Sequence, residues 1–514
     1  MRPTRRRFLK AALITIIGAA VLIAVAGPIL SGFLNKKIKA KLDASNARIG
    51  SLHINLFTRS ITIKDFEWSK NSTSATAKNI YAGGIRIIPF LRERKISLRR
   101  LIIEGGSISI TRDTVEQADQ PDSINIKSFD ADLIAINDIA VAIKKDSVTE
   151  YEGTIGLSVY HMALDSPQAF RDPSAYTFRN IETSVKNFRI QKAGSLYAFK
   201  IKEARFDKEL KTLHIDSLEL EPLLNKTQWA QKVKSQETRV NLKVGSVDAA
   251  GITMAVHMQD TSIMISSLTI NGPVIHAYKN KKYPFTRKEK FPLPMESFRA
   301  LSVGIEVDSV KIHKGDITYE ELPIEGYHYA WINFEGVEAT MSSVNNREFK
   351  NMRDHATLEA SAHVMKTGEV KAIFKLPLDP KKKYGAEGTI SKVPLKELNP
   401  LLKDLAFVEI TSGRLNKMDF IFVYDDNGSV GQVHFDYEDL RINGLRKGRE
   451  QDINTFKTLL INTAVKNDQT LNGTIDVARN QKKAVFNLWA RSIADGIRSG
   501  LMPVSTAKKK VKKK

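Results

Sequence analysis

Three ungapped blocks of thirteen residues repeat one pattern along this chain: LRRLIIEGGSISI from Leu98, ISSLTINGPVIHA from Ile265 and VDSVKIHKGDITY from Val307. Apolar side chains recur at block positions 1, 4, 6 and 11, and a glycine stands at position 8 or 9 (Gly105, Gly106, Gly272, Gly315). Alternation with period two on either side of a residue free to take positive φ predicts strand, tight turn, strand. Weaker copies are IDSLELEP from Ile215 and LAFVEITSGRLNK from Leu405, the second keeping Val408, Ile410, Gly413 and Leu415 in phase. A chain that repeats one hairpin and carries no catalytic signature is expected to form a long surface rather than a pocket.

The same alternation runs through most of the chain from Ile49, beginning with a predicted hairpin of IGSLHINLF and SITIKDFEW. It breaks at LLNKTQWAQKVKSQ, where Leu223, Leu224, Trp229 and Val233 have the spacing of a short helix. A second break, 279–297, is rich in proline, lysine and arginine and reads as an exposed loop and region boundary. PLKELNPLLKDL predicts a short helix or turn, and Asp425, Asp426, Asn427 and Gly428 a hairpin turn. The spacing there lacks the alternate ligands and closing glutamate of a calcium loop.

Each end carries its own signal. Residues 1–10 are basic, and Ala11 to Leu34 hold no charge, enough apolar helix to cross a bilayer core of about 30 Å. A retained anchor is expected, with a cleaved leader ending at Ala24-Val25-Ala26 as the competing reading. Near the other end, residues 484–502 place Phe486, Trp489, Ile493 and Ile497 on one helical face, followed by a lysine-rich tail at 503–514 with Lys508, Lys509 and Lys510. This segment suits a bilayer surface, or a helix that caps the sheet; both readings stay open. The formal charge of +22 favours polyanions, and the anchor makes anionic lipid the expected one, not nucleic acid.

Catalytic chemistry has no foothold in the motifs. With no cysteine in the chain, disulfides, thiolate metal sites and cysteine nucleophiles are excluded. Nucleophile elbow, phosphate loop, paired metal histidines and dinucleotide fingerprint are all missing, so no catalytic residue, metal or cofactor is expected. The histidines are dispersed; His355 and His363 are assigned to the polar face of a strand.

The basic N-terminus and membrane helix, then ARIGSLHINLFTRSITIKDFEW and GGIRIIPFLRERKISLRRLIIEGGSISI, resemble the AsmA-like family of envelope proteins. VEITSGRLNKMDFIFVYDDNGSVGQVHFDYEDLRI looks like that family's end module. The resemblance implies a protein tethered to the bacterial inner membrane, with its bulk in the periplasm, serving outer-membrane lipid homeostasis. The expected fold is mainly β: a transmembrane helix, then an elongated, curved antiparallel sheet forming a groove, with few short helices. Groove regions are expected at 35–278 and 298–483. Leu101, Ile103, Ile108, Leu268, Ile270, Ile275, Val310, Ile312 and Ile317 are expected to line the groove or its core, and phospholipid is the expected ligand. The alternative is a non-catalytic scaffold that recruits other envelope proteins through its sheet edges.

Overall fold

The computed structural model describes residues 46–55, 57–70, 72–112, 128–145, 148–164, 177–256, 261–347, 354–455, 457–458 and 465–501. The expected anchor at 11–34, the basic residues before it, and the lysine tail with Lys508, Lys509 and Lys510 lie outside the described residues. Among the described residues, no helix is long and apolar enough to cross a membrane. The fold is mainly β with a few short helices, and the chain divides into two compact units, Met1–Glu219 and Leu220–Lys514.

In the first unit, β1 (Ala47–Asn55), β2 (Ser60–Lys70), β3 (Thr73–Gly83) and β4 (Lys95–Arg112) pair antiparallel in chain order, with α1 (Ile87–Glu93) between the last two. The predicted hairpin is β1 with β2, closed where Asn55 faces Ser60. β5 (Ser128–Lys145) then lies parallel to β4, after which β6 (Val148–Leu164), β7 (Asn180–Ile190) and β8 (Tyr197–Asp207) return to antiparallel pairing. One apolar cluster forms the core, holding Ile63, Ile80, Leu101, Ile103, Ile134 and Ile136 among others. β9 (Thr212–Pro222) carries the chain across the boundary.

The second unit opens with α2 (Lys226–Val233), the predicted short helix, started by Asn225 and Gln228 capping each other's backbone. β10 (Arg239–Ala250) pairs antiparallel with both β12 (Thr261–Asn271) and β13 (Val274–Asn280), and β11 (Thr253–Val256) pairs with β12. After α3 (Pro294–Arg299), β14 (Gly304–Leu322) runs parallel to β12 and β13. From there β15 (Ala330–Asn345), β16 (His355–Val364), β17 (Gly368–Pro377), β18 (Tyr384–Pro394), β19 (Val408–Tyr424), β20 (Gly428–Gly444) and β21 (Gln469–Ala478) form an antiparallel meander. A 3-10 turn (Leu395–Leu398) and α4 (Asn399–Ala406) separate β18 from β19, and α5 (Val485–Leu501) follows β21. The turn between β19 and β20 is the predicted one, with the Asp425 carboxylate accepting from the Asn427 and Gly428 backbone N–H groups.

The repeated blocks are not hairpins. The first lies inside the single strand β4 and the third inside β14, while the second is β12 and β13 end to end along β14. Block position 8 holds a left-handed residue in each: Gly105 at φ 56, Gly272 at φ 57 and Lys314 at φ 53. Apolar positions 6 and 11 are an odd number apart, so strict alternation would send them to opposite faces. One left-handed residue reverses the phase and keeps both halves on one face, which is the work of a bulge rather than a turn.

The antiparallel expectation is corrected too. β4 and β5 stay in one parallel register from Lys95 beside Ser128 to Arg112 beside Lys145. β12 and β13 do the same against β14, from Ser262 beside Gly304 to Asn280 beside Leu322. Kinks fall level with each other: Gly105 with Asp138 (φ 52), and Gly272 with Lys314. The second and third sequence blocks are therefore neighbouring strands stacked residue on equivalent residue. Connections at 113–127 and 281–303 are long enough to bring the chain back to the same end of the sheet, which parallel pairing requires.

Candidate functional site

Directly opposed residues of neighbouring strands share a face, so the second unit's register traces one apolar surface from strand to strand. Leu268 and Ile270 in β12 stand beside Val310 and Ile312 in β14, which face Met341 and Ala339 in β15. The row continues through Leu358 to Phe374 and Ala386, and then to Phe422 in β19. Its two ends differ. At the β20–β21 end, α5 lies on the sheet with Val485, Leu488, Ser492, Gly496 and Gly500 buried. Trp489 stacks on Phe374 with ring centroids 4.6 Å apart, and the Ser492 and Ser429 hydroxyls share a buried hydrogen bond of 2.6 Å. α3 adds buried Met295, whose N–H donates to the Tyr384 hydroxyl at 3.2 Å. At the β12–β15 end, Ile265, Leu268, Ile270, Ile305 and Met341, with Phe298 of α3 against them, are only partly buried around Val307, Val310 and Val344.

Beyond the kink the same face carries a second row: Leu242, Ile275, Ile317 and Phe334, ending on Val364. Ile317 is 36% exposed. Two residues further along, Ala277 stands beside Tyr319, and two beyond that Lys279 stands beside Glu321. Glu321 is buried and both its oxygens are engaged, one by the Lys281 ammonium at 2.7 Å and the other by the Tyr319 hydroxyl at 2.5 Å. Burial and the Glu321 charge push the Tyr319 phenol far above its ordinary range. Burial pushes the Lys279 ammonium down, and the charges of Lys281 and Lys483 push it further.

The opposite face of the same strands is polar. There Glu320 accepts from Lys226 of α2 and pairs with His276 at 2.9 Å, while burial raises the neighbouring Tyr278 phenol to about 12. Across β14 to β21 this face forms a groove of about 900 Å³ lined by His313, Glu338, Lys371, Asp419, His434 and Asn472, among others. Two of its carboxylates, Asp419 and Glu338, are held by close donors. Lys417 at 2.8 Å and Thr389 at 2.6 Å hold Asp419 below the ordinary carboxylate range. The Lys314 N–H and His313 do the same to Glu338. A general acid needs its pKa raised, and those of Asp419 and Glu338 are lowered. Among the described residues, no group of three or more acidic or histidine side chains is placed to hold a metal ion.

In the first unit, Leu101, Ile103 and Ile108 are 0%, 3% and 3% exposed, inside the protein's own core. Of the alternatives left open for them, groove or core, they take the core. Ile155, Leu157 and Ile181 at the β6–β7 end are partly buried, and Val185 and Phe206 carry the partly covered face on to β8.

The sequence-selected residues thus separate into groups. Leu268, Ile270 and Ile312 come together on the half-covered face, and Val310, 9% exposed, stands beside Leu268 as a more deeply buried neighbour. Ile275 and Ile317 are paired on the far side of the kink. In α5, Trp489, Ile493 and Ile497 pack against the sheet's core while Phe486 is 70% exposed. Lys279 and Lys483 do not stand out in the sequence, because single lysines in a basic loop give no sign of facing an apolar row. No protein-family model matches the chain, and comparison with curated proteins also finds no match.

Proposed function

We propose that this chain binds phospholipid on the apolar face of its sheet, as an envelope protein of the AsmA-like kind, held at the inner membrane with its bulk in the periplasm. The observation that carries the reading is the uneven covering of one continuous apolar row: α5 covers it at the β20–β21 end, while at the β12–β15 end α3 contributes Phe298 and the strand side chains remain partly buried. Acyl chains would complete that covering, at about 0.8 kcal/mol per methylene taken out of water. Covering about eight methylenes of one chain contributes roughly 6 kcal/mol, near the low end of the cost of association, about 4–15 kcal/mol. Two chains exceed most of that range, so a diacyl lipid fits better than a fatty acid.

The test is lipid extraction and native mass spectrometry of the purified full chain, together with uptake of a fluorescent phospholipid. Co-purified diacyl lipid and saturable uptake are expected, with uptake reduced several-fold in Ile270→Glu and Ile317→Glu. Ile317→Glu is the safer variant, because a residue already 36% exposed tolerates charge without unfolding the sheet. A wild-type chain that carries no lipid and takes none up would end the reading.

A further inference from the structure

We propose that Lys279, Lys281 and Lys483 form an anion site that takes a phosphate group beside the apolar row, along β13 from Ile275. The placement of a lipid phosphate there rests on the preceding reading; free phosphate is the other source of the same chemistry. Lys279 follows Ile275 and Ala277 on one face of β13, so it stands on the same face as the second apolar row, four residues along the strand from where that row crosses at Ile275. Its cross-strand neighbour Glu321 already spends one oxygen on Lys281 and the other on Tyr319. Among the described residues, Lys279 has no hydrogen-bond acceptor or ion-pair partner.

Lys483 arrives from the turn before α5. That turn is tied to the 281–293 loop by the Phe291 N–H donating to the Gln481 carbonyl at 2.7 Å, and Lys483 sits 5.6 Å from the Phe285 ring centroid. Burial and the Lys281 charge disfavour the Lys279 ammonium form, and the Lys483 charge adds to them. Three ammonium groups against one carboxylate leave an excess of two positive charges beside an apolar surface. A phosphodiester brings one negative charge and several strong acceptors, so it offsets the repulsion and supplies the acceptor that Lys279 lacks. A bound lipid would then lie with its acyl chains along Ile275 and Ile317 and its phosphate at the lysines.

The experiment uses the full chain and two probes with identical acyl chains, fluorescent phosphatidylglycerol and fluorescent diacylglycerol. Wild type is expected to prefer phosphatidylglycerol, and K279Q/K483Q to lose that preference by roughly thirtyfold, the size expected of two lysine contacts near an anionic surface. Diacylglycerol uptake should be unchanged in the double variant, and Lys279→Arg should keep the preference. Calorimetric titration with inorganic phosphate forms a separate arm. Phosphate binding lost in the double variant, without any lipid preference in wild type, assigns the site to free phosphate. If neither lipid is taken up, the lipid reading fails and the phosphate titration still decides the site. A double variant that retains both the lipid preference and the phosphate heat overturns the proposal.

Discussion

Gly272 and Lys314 occupy equivalent places in neighbouring parallel strands, yet only one of them lacks a β-carbon. Both have left-handed backbones, at φ 57 and φ 53, a conformation that costs a side-chain-bearing residue about 1–2 kcal/mol. At Lys314 the cost is offset locally, because its N–H donates to Glu338 at 2.9 Å and His313 holds the same carboxylate at 2.7 Å. A β-carbon added at Gly272 would meet nothing within 4 Å, so Gly272→Ala should lose only the backbone term, about 1–2 kcal/mol. Gly106 is different. A β-carbon there would lie 2.1 Å from the Thr76 carbonyl oxygen, so Gly106→Ala must push β3 away and should cost roughly 3 kcal/mol or more. Urea unfolding midpoints of the two variants check this; equal losses would mean that the close approach of β3 and β4 does not set the cost. The kinks themselves were legible in the sequence, since odd gaps between apolar positions, Ile103 to Ile108 and Ile312 to Ile317, demand a change of phase. Reading the glycine as a hairpin turn missed this, because glycine with alternating flanks suits a turn and a bulge equally.

At the scale of elements, α5 shows why an apolar stripe can mislead. Phe486, Trp489, Ile493 and Ile497 are its conspicuous side chains, but the buried line is Leu488, Ser492, Gly496 and Gly500. Small residues let the helix axis approach the sheet, so the face in closest contact is the one with least hydrophobic bulk. A β-carbon at Gly473 in β21 would fall 1.7 Å from the Gly496 carbonyl oxygen, and one at Gly496 would fall 2.4 Å from Val433. Gly473→Ala should therefore lift α5 from the sheet at a cost of about 1–3 kcal/mol. Because Trp489 packs on Phe374, its emission should shift to the red, and the shift should vanish in a Trp489→Phe background. Unchanged emission would show that the helix accommodates the methyl group without moving. Strand alternation has the matching blind spot: it told which side chains share a face, but not what covers that face. Leu101 and Leu268 hold the same block position, yet one is fully buried and the other partly so.

For the whole chain, charge and apolar covering make separable contributions to any membrane interaction. The formal charge of +22 is a property of composition alone, and part of it stands on lysines of the C-terminal tail. Attraction of such a charge to an anionic surface is long-ranged only while the screening length is long, about 8 Å at physiological ionic strength and about 3 Å at 1 M. Lipid held along half-buried side chains such as Leu268 and Ile270 is insensitive to that screening, since burial of methylene groups does not weaken with added chloride salt. Raising sodium chloride from physiological strength to about 1 M should therefore release the chain from residue 35 onward, without its apolar N-terminal segment, from phosphatidylglycerol vesicles, by tenfold or more in apparent affinity. Lipid already bound to the purified protein should stay bound over the same range, measured by extraction after gel filtration at each salt concentration. If both fall together, the bound lipid is held by surface charge alone, and the half-covered row from β12 to β15 is then an ordinary sheet face. If vesicle binding falls while bound lipid persists, the lysines of the C-terminal tail act in encounter and the apolar face in retention, a division of labour that the chain's composition and its strand register together predict.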